Sequence, residues 1–209
     1  MLNCILYLPA LLLYTSFAPI AKLKISLFPL IGGHSNSWLY GCAKAGWSRA
    51  SYKYLGMMTV RGNFLDVTAN GFIDPAHPEA STVDITIQAA SIHTHNPQRD
   101  NDLRSSNFLE IDKYPTITFK STKIEAAGQD RYTLTGDLTI KGTTRPVTLA
   151  VVKYGEFHDP MMGHRIGYSA EGKINRKDFG MTFNMMMDGR WIVSDKVQIS
   201  IEGEFVEQK

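Results

Sequence analysis

His93 and His95 stand two apart in "SIHTHNP", a spacing that can bring two imidazoles to one metal ion. Two ligands at a strand end need a third, and no carboxylate or histidine nearby is obviously placed to join them. His158 and His164 flank the turn in "HDPMMGH" and would complete such a site only if the fold gathered them. The plainer reading of the His93/His95 pair is a polar loop. A metal-binding module or metal-dependent enzyme built on His93 and His95 is carried as the alternative function. The second group with chemistry is cationic. Arg99, Asp100 and Arg104 fall within "QRDNDLR", and Arg176, Lys177 and Asp178 within "NRKDF". An arginine at the mouth of a cavity can hold a phosphate or quinone head group through charge-assisted hydrogen bonds. The same residues also read as Arg–Asp braces that fix an insert to a rim, and that is the plainer reading. Arg99, Arg104 and Arg176 are the head-group candidates.

Catalytic signatures are missing. The sequence has no G-x-S-x-G, no H-E-x-x-H and no glycine-rich phosphate loop. Carboxylates are present, but spacing alone cannot set two of them across a cleft. The reading is a non-enzyme, and no cofactor is expected.

The elements that would position these residues follow from the totals and the patterning. A chain of 209 residues holds one domain of about 160 residues plus an extension. The formal net charge of +2 supplies no strong field, so nucleic acid is not an expected partner. Both cysteines, Cys4 and Cys42, lie near the start, and no C-x-x-C occurs, which argues against structural zinc and thioredoxin-like chemistry.

Residues 1–21 carry no charge and are followed by Lys22 and Lys24, the reverse of the basic-then-apolar order of a secretory signal. The length of about 20 residues would suit a membrane helix, although Pro9 and Pro19 weaken it. Residues 1–46 are therefore read as an extension: an export signal, an anchor through residues 1–21, or a non-native start. The expected location is periplasmic or secreted, with a cytoplasmic or membrane-anchored protein as the alternative.

From residue 47 to residue 209 the chain reads as the barrel domain, and period-two patterning dominates. "VDITIQA" sets Val83, Ile85, Ile87 and Ala89 against Asp84, Thr86 and Gln88. "TITFKS", "TLTGDLTI", "IGYSAEGKI" and "VQISIEGEFV" repeat the alternation. Such strands have one wet face and one buried face. Expected strands are 48–55, 57–73 with a bend near Gly71, 83–90, 116–125, 131–140, 145–154 with Pro146 at its start, 165–175 and 196–206. Short turns such as "AAGQD" and "KGTTRP" make neighbours antiparallel. Eight such strands close most economically into a barrel with the apolar face inward.

Two segments break the alternation and are expected to cap one end. In residues 95–112, Pro97 suits a helix first turn, Asp100 and Asp102 suit its N-terminal half, and Leu103, Phe108, Leu109 and Ile111 follow near helical spacing. Residues 175–194 combine Phe179, Phe183 and Trp191 with Met181, Met185, Met186 and Met187, an adaptable apolar set. An apolar stripe inside such a barrel either fills a dry core or lines a tunnel, and at eight strands both are feasible.

Seven stretches resemble the YceI-like family, a lipocalin-like family described as polyisoprenoid-binding. They are "TVRGNF" (59–64), "DPAHPEAS" (74–81), "AASIHT" (89–94), "QRDNDLRSSNF" (98–108), "KYPTITFKSTKI" (113–124), "YTLTGDLTIKGTTRPVTL" (132–149) and "INRKDFGMTFN" (174–184). The resemblance spans residues 51–207. "GGHSNSWLYGCAKAGW" (32–47) does not resemble the family's usual first strand. The resemblance implies an all-β, eight-stranded antiparallel lipocalin-like barrel with short helical inserts and an apolar tunnel. The tunnel would bind, sequester or transport a long apolar lipid, polyprenyl or quinone-like. Its expected lining is Ile85, Ile87, Phe108, Phe119, Leu138, Ile140, Leu149, Val151, Tyr168, Phe179, Phe183 and Ile199. The oligomeric state stays open, a dimer included.

Overall fold

A computed structural model of the chain describes residues 38–44, 47–74, 76–161 and 163–206. In chain order the strands are β1 (Trp38–Lys44), β2 (Trp47–Tyr54), β3 (Met58–Phe64), β4 (Val67–Ile73), β5 (Thr82–Gln88) and β6 (Ile92–His93). A single α-helix, α1 (Pro97–Arg104), follows. The remaining strands are β7 (Thr116–Gly128), β8 (Arg131–Ile140), β9 (Thr143–Asp159), β10 (Gly163–Asn175), β11 (Met186–Met187), β12 (Arg190–Trp191) and β13 (Val193–Val206).

Every pairing between described strands is antiparallel, as hairpin connections require. Eleven strands form one sheet in the order β1-β4-β5-β7-β8-β9-β10-β13-β2-β3-β6. β1 and β2 lie end to end opposite β4 and β3, and β6 is a two-residue stub on β3. With each of those end-to-end pairs counted as one bent strand, eight remain, and the ladder that leaves β4 through β5 returns through β13 to β2. The sheet thus curls into the lipocalin-like barrel that the alternation implies.

Four details differ from the sequence reading. Pairing carries the sheet back to Trp38, so part of the segment assigned to the extension, residues 38–44, forms a strand against β4. The expected 57–73 strand breaks at Leu65 and Asp66, not near Gly71, which sits inside β4 in register with Val83. β9 begins at Thr143, so Pro146 lies inside the strand rather than at its start, in register with Asp137. β9 is paired on one side only at that point, because β10 joins it from Ala150 onward, so a missing N–H costs no ladder bond there. The helix ends at Arg104, and residues 105–113 continue as turns, so the apolar residues from Phe108 onward are not helical. Residues 1–21, with Cys4, lie outside the described part.

The core is the inner face of the barrel. Ile85, Ile117, Phe119, Leu134, Leu138, Ile140, Leu149 and Ile166 are all buried, while neighbours such as Asp84, Thr86, Thr118, Asp137 and Thr148 face water. No helix among the described residues is long and apolar enough to cross a membrane.

Candidate functional site: an apolar cavity in two chambers

The inward face does not fill the barrel. A cavity of about 590 Å³ occupies its interior. Its walls come from alternate residues of successive strands: Ile85 and Ile87 of β5, Phe119 of β7, Leu138 and Ile140 of β8, Leu149 of β9 and Ile199 of β13. Phe108 and Phe183 add aromatic edges from the two inserts, their rings 5.7 Å apart and nearly perpendicular. A second chamber of about 100 Å³ lies further along the axis and is lined by Val151, Tyr168, Phe205, Leu134 and Ile124 among others. Ile85, Leu149 and Ile201 face both chambers and form the waist between them.

Two glycines let side chains of the waist and the larger chamber lie close to the sheet. A Cβ at Gly172 of β10 would overlap the Leu149 Cδ2 atom. A Cβ at Gly136 of β8 would come within 2.5 Å of both the Phe119 ring and the Lys120 carbonyl oxygen. The missing side chains let Leu149 and Phe119 lie flat against the neighbouring strand. Buried Asp74 and Ser81 stand at the far end of the second chamber, where the Asp74 amide donates to Ser81 Oγ at 2.9 Å.

The opening of the larger chamber is marked by residues that both line it and face solvent: Asn96, Gln98 and Asp102 around α1, and Phe183 and Met185 opposite. α1 is held there by its cap and by Arg104. Asn96 Oδ1 accepts from the Arg99 amide, and Pro97 occupies the first turn, where its missing N–H is harmless. Arg104 donates from Nε to the Ala90 carbonyl at 2.9 Å and from Nη2 to the Ile92 carbonyl at 2.7 Å. Asp100 is buried and accepts from the Thr94 amide and from Thr94 Oγ1.

The three head-group candidates separate. Arg99 lines the cavity, with Nε and Nη2 each 2.8 Å from a Thr94 oxygen. Arg104 does not line it and acts as the brace just described. Arg176 touches the cavity but is buried and spent. It donates to the carbonyls of Ser194, Met181 and Phe183 and to Asp195 Oδ1. Lys177 first, and Arg176 with it, hold the Asp195 carboxyl below its usual range. Phe179 lines neither chamber. It is 1% exposed and packs in the core from the 3₁₀ turn Arg176–Phe179, where the strand alternation has ended.

Several lining residues escape the alternation argument. Tyr52 and Tyr54 of β2 and Val60 and Phe64 of β3 face the cavity. Their period-two signal is present but interleaved with Ser, Gly and Lys. Burial raises the Tyr52 phenol pKa, with Arg99 acting in the opposite sense. Arg49 also lines the chamber.

The His93 and His95 rings do meet, with Nε2 and Nδ1 3.2 Å apart, and His93 Nδ1 lies 3.5 Å from Asp100 Oδ2. His158 and His164 do not join them. Their rings meet edge to face across β9 and β10, with centroids 5.7 Å apart, and His164 Nε2 lies 2.6 Å from Glu156 Oε1. Among the described residues, no three His, Cys, Asp or Glu side chains are grouped to hold a metal ion. The arrangement offers apolar enclosure with a polar rim.

Comparison with known proteins agrees with this architecture. The model of the YceI-like domain matches residues 40–205. A UPF0312 protein of Ectopseudomonas mendocina is 35% identical over 177 residues, 83% of this chain and 91% of its own length. The Campylobacter jejuni YCEI protein superposes with a TM-score of 0.66 at 34% identity, covering 75% of this chain and 90% of that one. A polyisoprenoid binding domain from Saccharophagus degradans shares the fold, with a TM-score of 0.57 at 14% identity over 81% of this chain and 99% of that one.

Proposed function

The chain belongs to the YceI-like family, and from that premise we propose that its barrel takes up and carries a long-chain isoprenoid or similar lipid. One observation carries the proposal: the barrel interior holds a cavity of about 590 Å³ walled by Ile, Leu and Phe side chains. Burying apolar surface contributes roughly 25 cal/mol per Å², about 0.8 kcal/mol per methylene. A thin branched chain drawn along such walls is held without specific polar contacts. The protein's part is to keep water from that chain, which is a task for a binding protein rather than for an enzyme.

Arg99 is the head-group ligand we favour; it places guanidinium charge on the chamber that opens beside α1. Arg104 and Arg176 serve the walls instead. We place the carrier in the periplasm or outside the cell on the strength of the apolar run of residues 1–21, against the order of Lys22 and Lys24 behind it; cell fractionation with peptide mapping of the natural N-terminus checks this.

Solvent extraction of the purified protein, followed by mass spectrometry, tests the proposal. A prenyl-type or comparably long apolar chain is expected, and the variant Ile87→Trp should retain the strand signal in circular dichroism while losing most of that chain. Extracts free of any such chain, even after incubation with polyprenol, would overturn it.

A further inference from the structure

Six exposed apolar side chains gather where a lipid carrier would need them. Met57, Met58, Met185, Met186, Met187 and Trp191 are each more than half exposed to solvent. Scattered apolar residues on a surface are ordinary, but these come from two hairpins joined by hydrogen bonds. The Leu55 amide donates to the Ile192 carbonyl at 3.0 Å, and the Lys53 amide donates to Ser194 Oγ at 3.1 Å. Met186 and Trp191 face each other across β11 and β12, and Tyr54 is in register with Val193. The β2–β3 turn and the β11–β12 hairpin therefore stand side by side.

Their inner residues, Tyr54, Met185, Ile192 and Val193, line the large chamber. The collar is thus the outward continuation of the cavity wall, with Met185 belonging to both. Two cations flank it, Lys53 and Arg190, and both are exposed. Over residues 53–58 and 185–191 the only acid is Asp188.

We propose that this collar docks on a lipid bilayer, so that an apolar chain passes between membrane and cavity without crossing water. The proposal rests on the lipid-carrying reading above and adds the surface from which cargo is exchanged. Trp favours the membrane–water interface, and Met side chains adapt to irregular acyl packing. Lys53 and Arg190 add attraction to anionic head groups, which fades with salt. A chain leaving the cavity anywhere else would expose its methylenes to water at about 0.8 kcal/mol each.

Flotation with phosphatidylcholine vesicles, with and without phosphatidylglycerol, tests it, together with Trp191 quenching by brominated lipid. The full chain should float with the vesicles, more strongly when phosphatidylglycerol is present and less so in high salt. The double variant Met186→Glu/Met187→Glu should partition about tenfold less. Its loading with polyprenol from detergent micelles should match the wild type, which also shows that it is folded. Trp191→Phe should abolish the quenching. Wild type that loads from micelles yet never floats would overturn the docking surface and leave the carrier reading standing. Equal flotation of wild type and double variant would overturn it too. So would self-association that the double variant abolishes, without vesicle binding, since the collar would then be a protein interface. A chain that floats but takes no polyprenol would sink the carrier reading instead.

Discussion

Asp195 shows how a single carboxylate ties an insert to the barrel. Arg176 donates to it at 3.0 Å and Lys177 approaches it at 2.9 Å, and Arg176 also holds three carbonyls of the 181–194 segment. The folded state lowers the Asp195 pKa from its ordinary value of 3.8. The contribution is therefore complete above pH 3.8 and fades as acid protonates the carboxyl at a lower pH. Because Asp195 is partly exposed, the effect is small, of the size of surface ion pairs. We expect Asp195→Asn to be less stable than wild type at neutral pH and to lose that difference below pH 3.8, read by urea unfolding midpoints. A second residue-scale test is Gly136→Ala. Its Cβ would press on a backbone carbonyl and the Phe119 ring, so a loss of about 1–3 kcal/mol is expected in the same assay. At this scale the sequence was a good guide to which strand residues face inward, because alternation decides it. The bracing role of Arg104 and Arg176 was legible as the plainer reading, but their partners were not. Apart from Asp195 these are main-chain carbonyls, and no side-chain pattern announces a carbonyl.

The elements divide in the same way. Long strands with clean alternation, such as β8 and β10, are legible because every second residue must be apolar to be buried. The bend between β3 and β4 is not, since Leu65 and Asp66 carry no turn signature stronger than Gly71 does. The β11–β12 hairpin turns at Asp188 and Gly189, both at positive φ, and that dipeptide is a known hairpin signal. Reading residues 175–194 as one soft cap passes over it. For α1 the start was legible from Pro97 and the end was not, because the apolar residues beyond Arg104 mimic a further turn. The helix depends on its ties more than on its own propensity. We expect Asn96→Ala to weaken it by about 1 kcal/mol, seen as faster amide exchange over residues 97–104 with β8 and β9 unaffected. Arg104→Met should loosen the same stretch and speed release of bound lipid without changing what is bound.

For the whole molecule, the closed ladder was legible and the emptiness inside it was not. A filled barrel and a hollow one share one alternation, and only side-chain volumes summed in three dimensions separate them. Occupancy should show in stability. A guest at one hundred times its dissociation constant adds about 2.7 kcal/mol to the folded state. We therefore expect delipidated protein to melt several degrees lower than protein reloaded with polyprenol, by calorimetry. Ile87→Trp should melt at the same temperature with and without polyprenol.

Ile85, Leu149 and Ile201, which belong to both chambers, divide the interior into a long room and a small annex. A guest short enough to stop at that constriction and one long enough to thread it bury different numbers of carbons. The barrel would then act as a ruler, ranking chains that share one head group by carbon count.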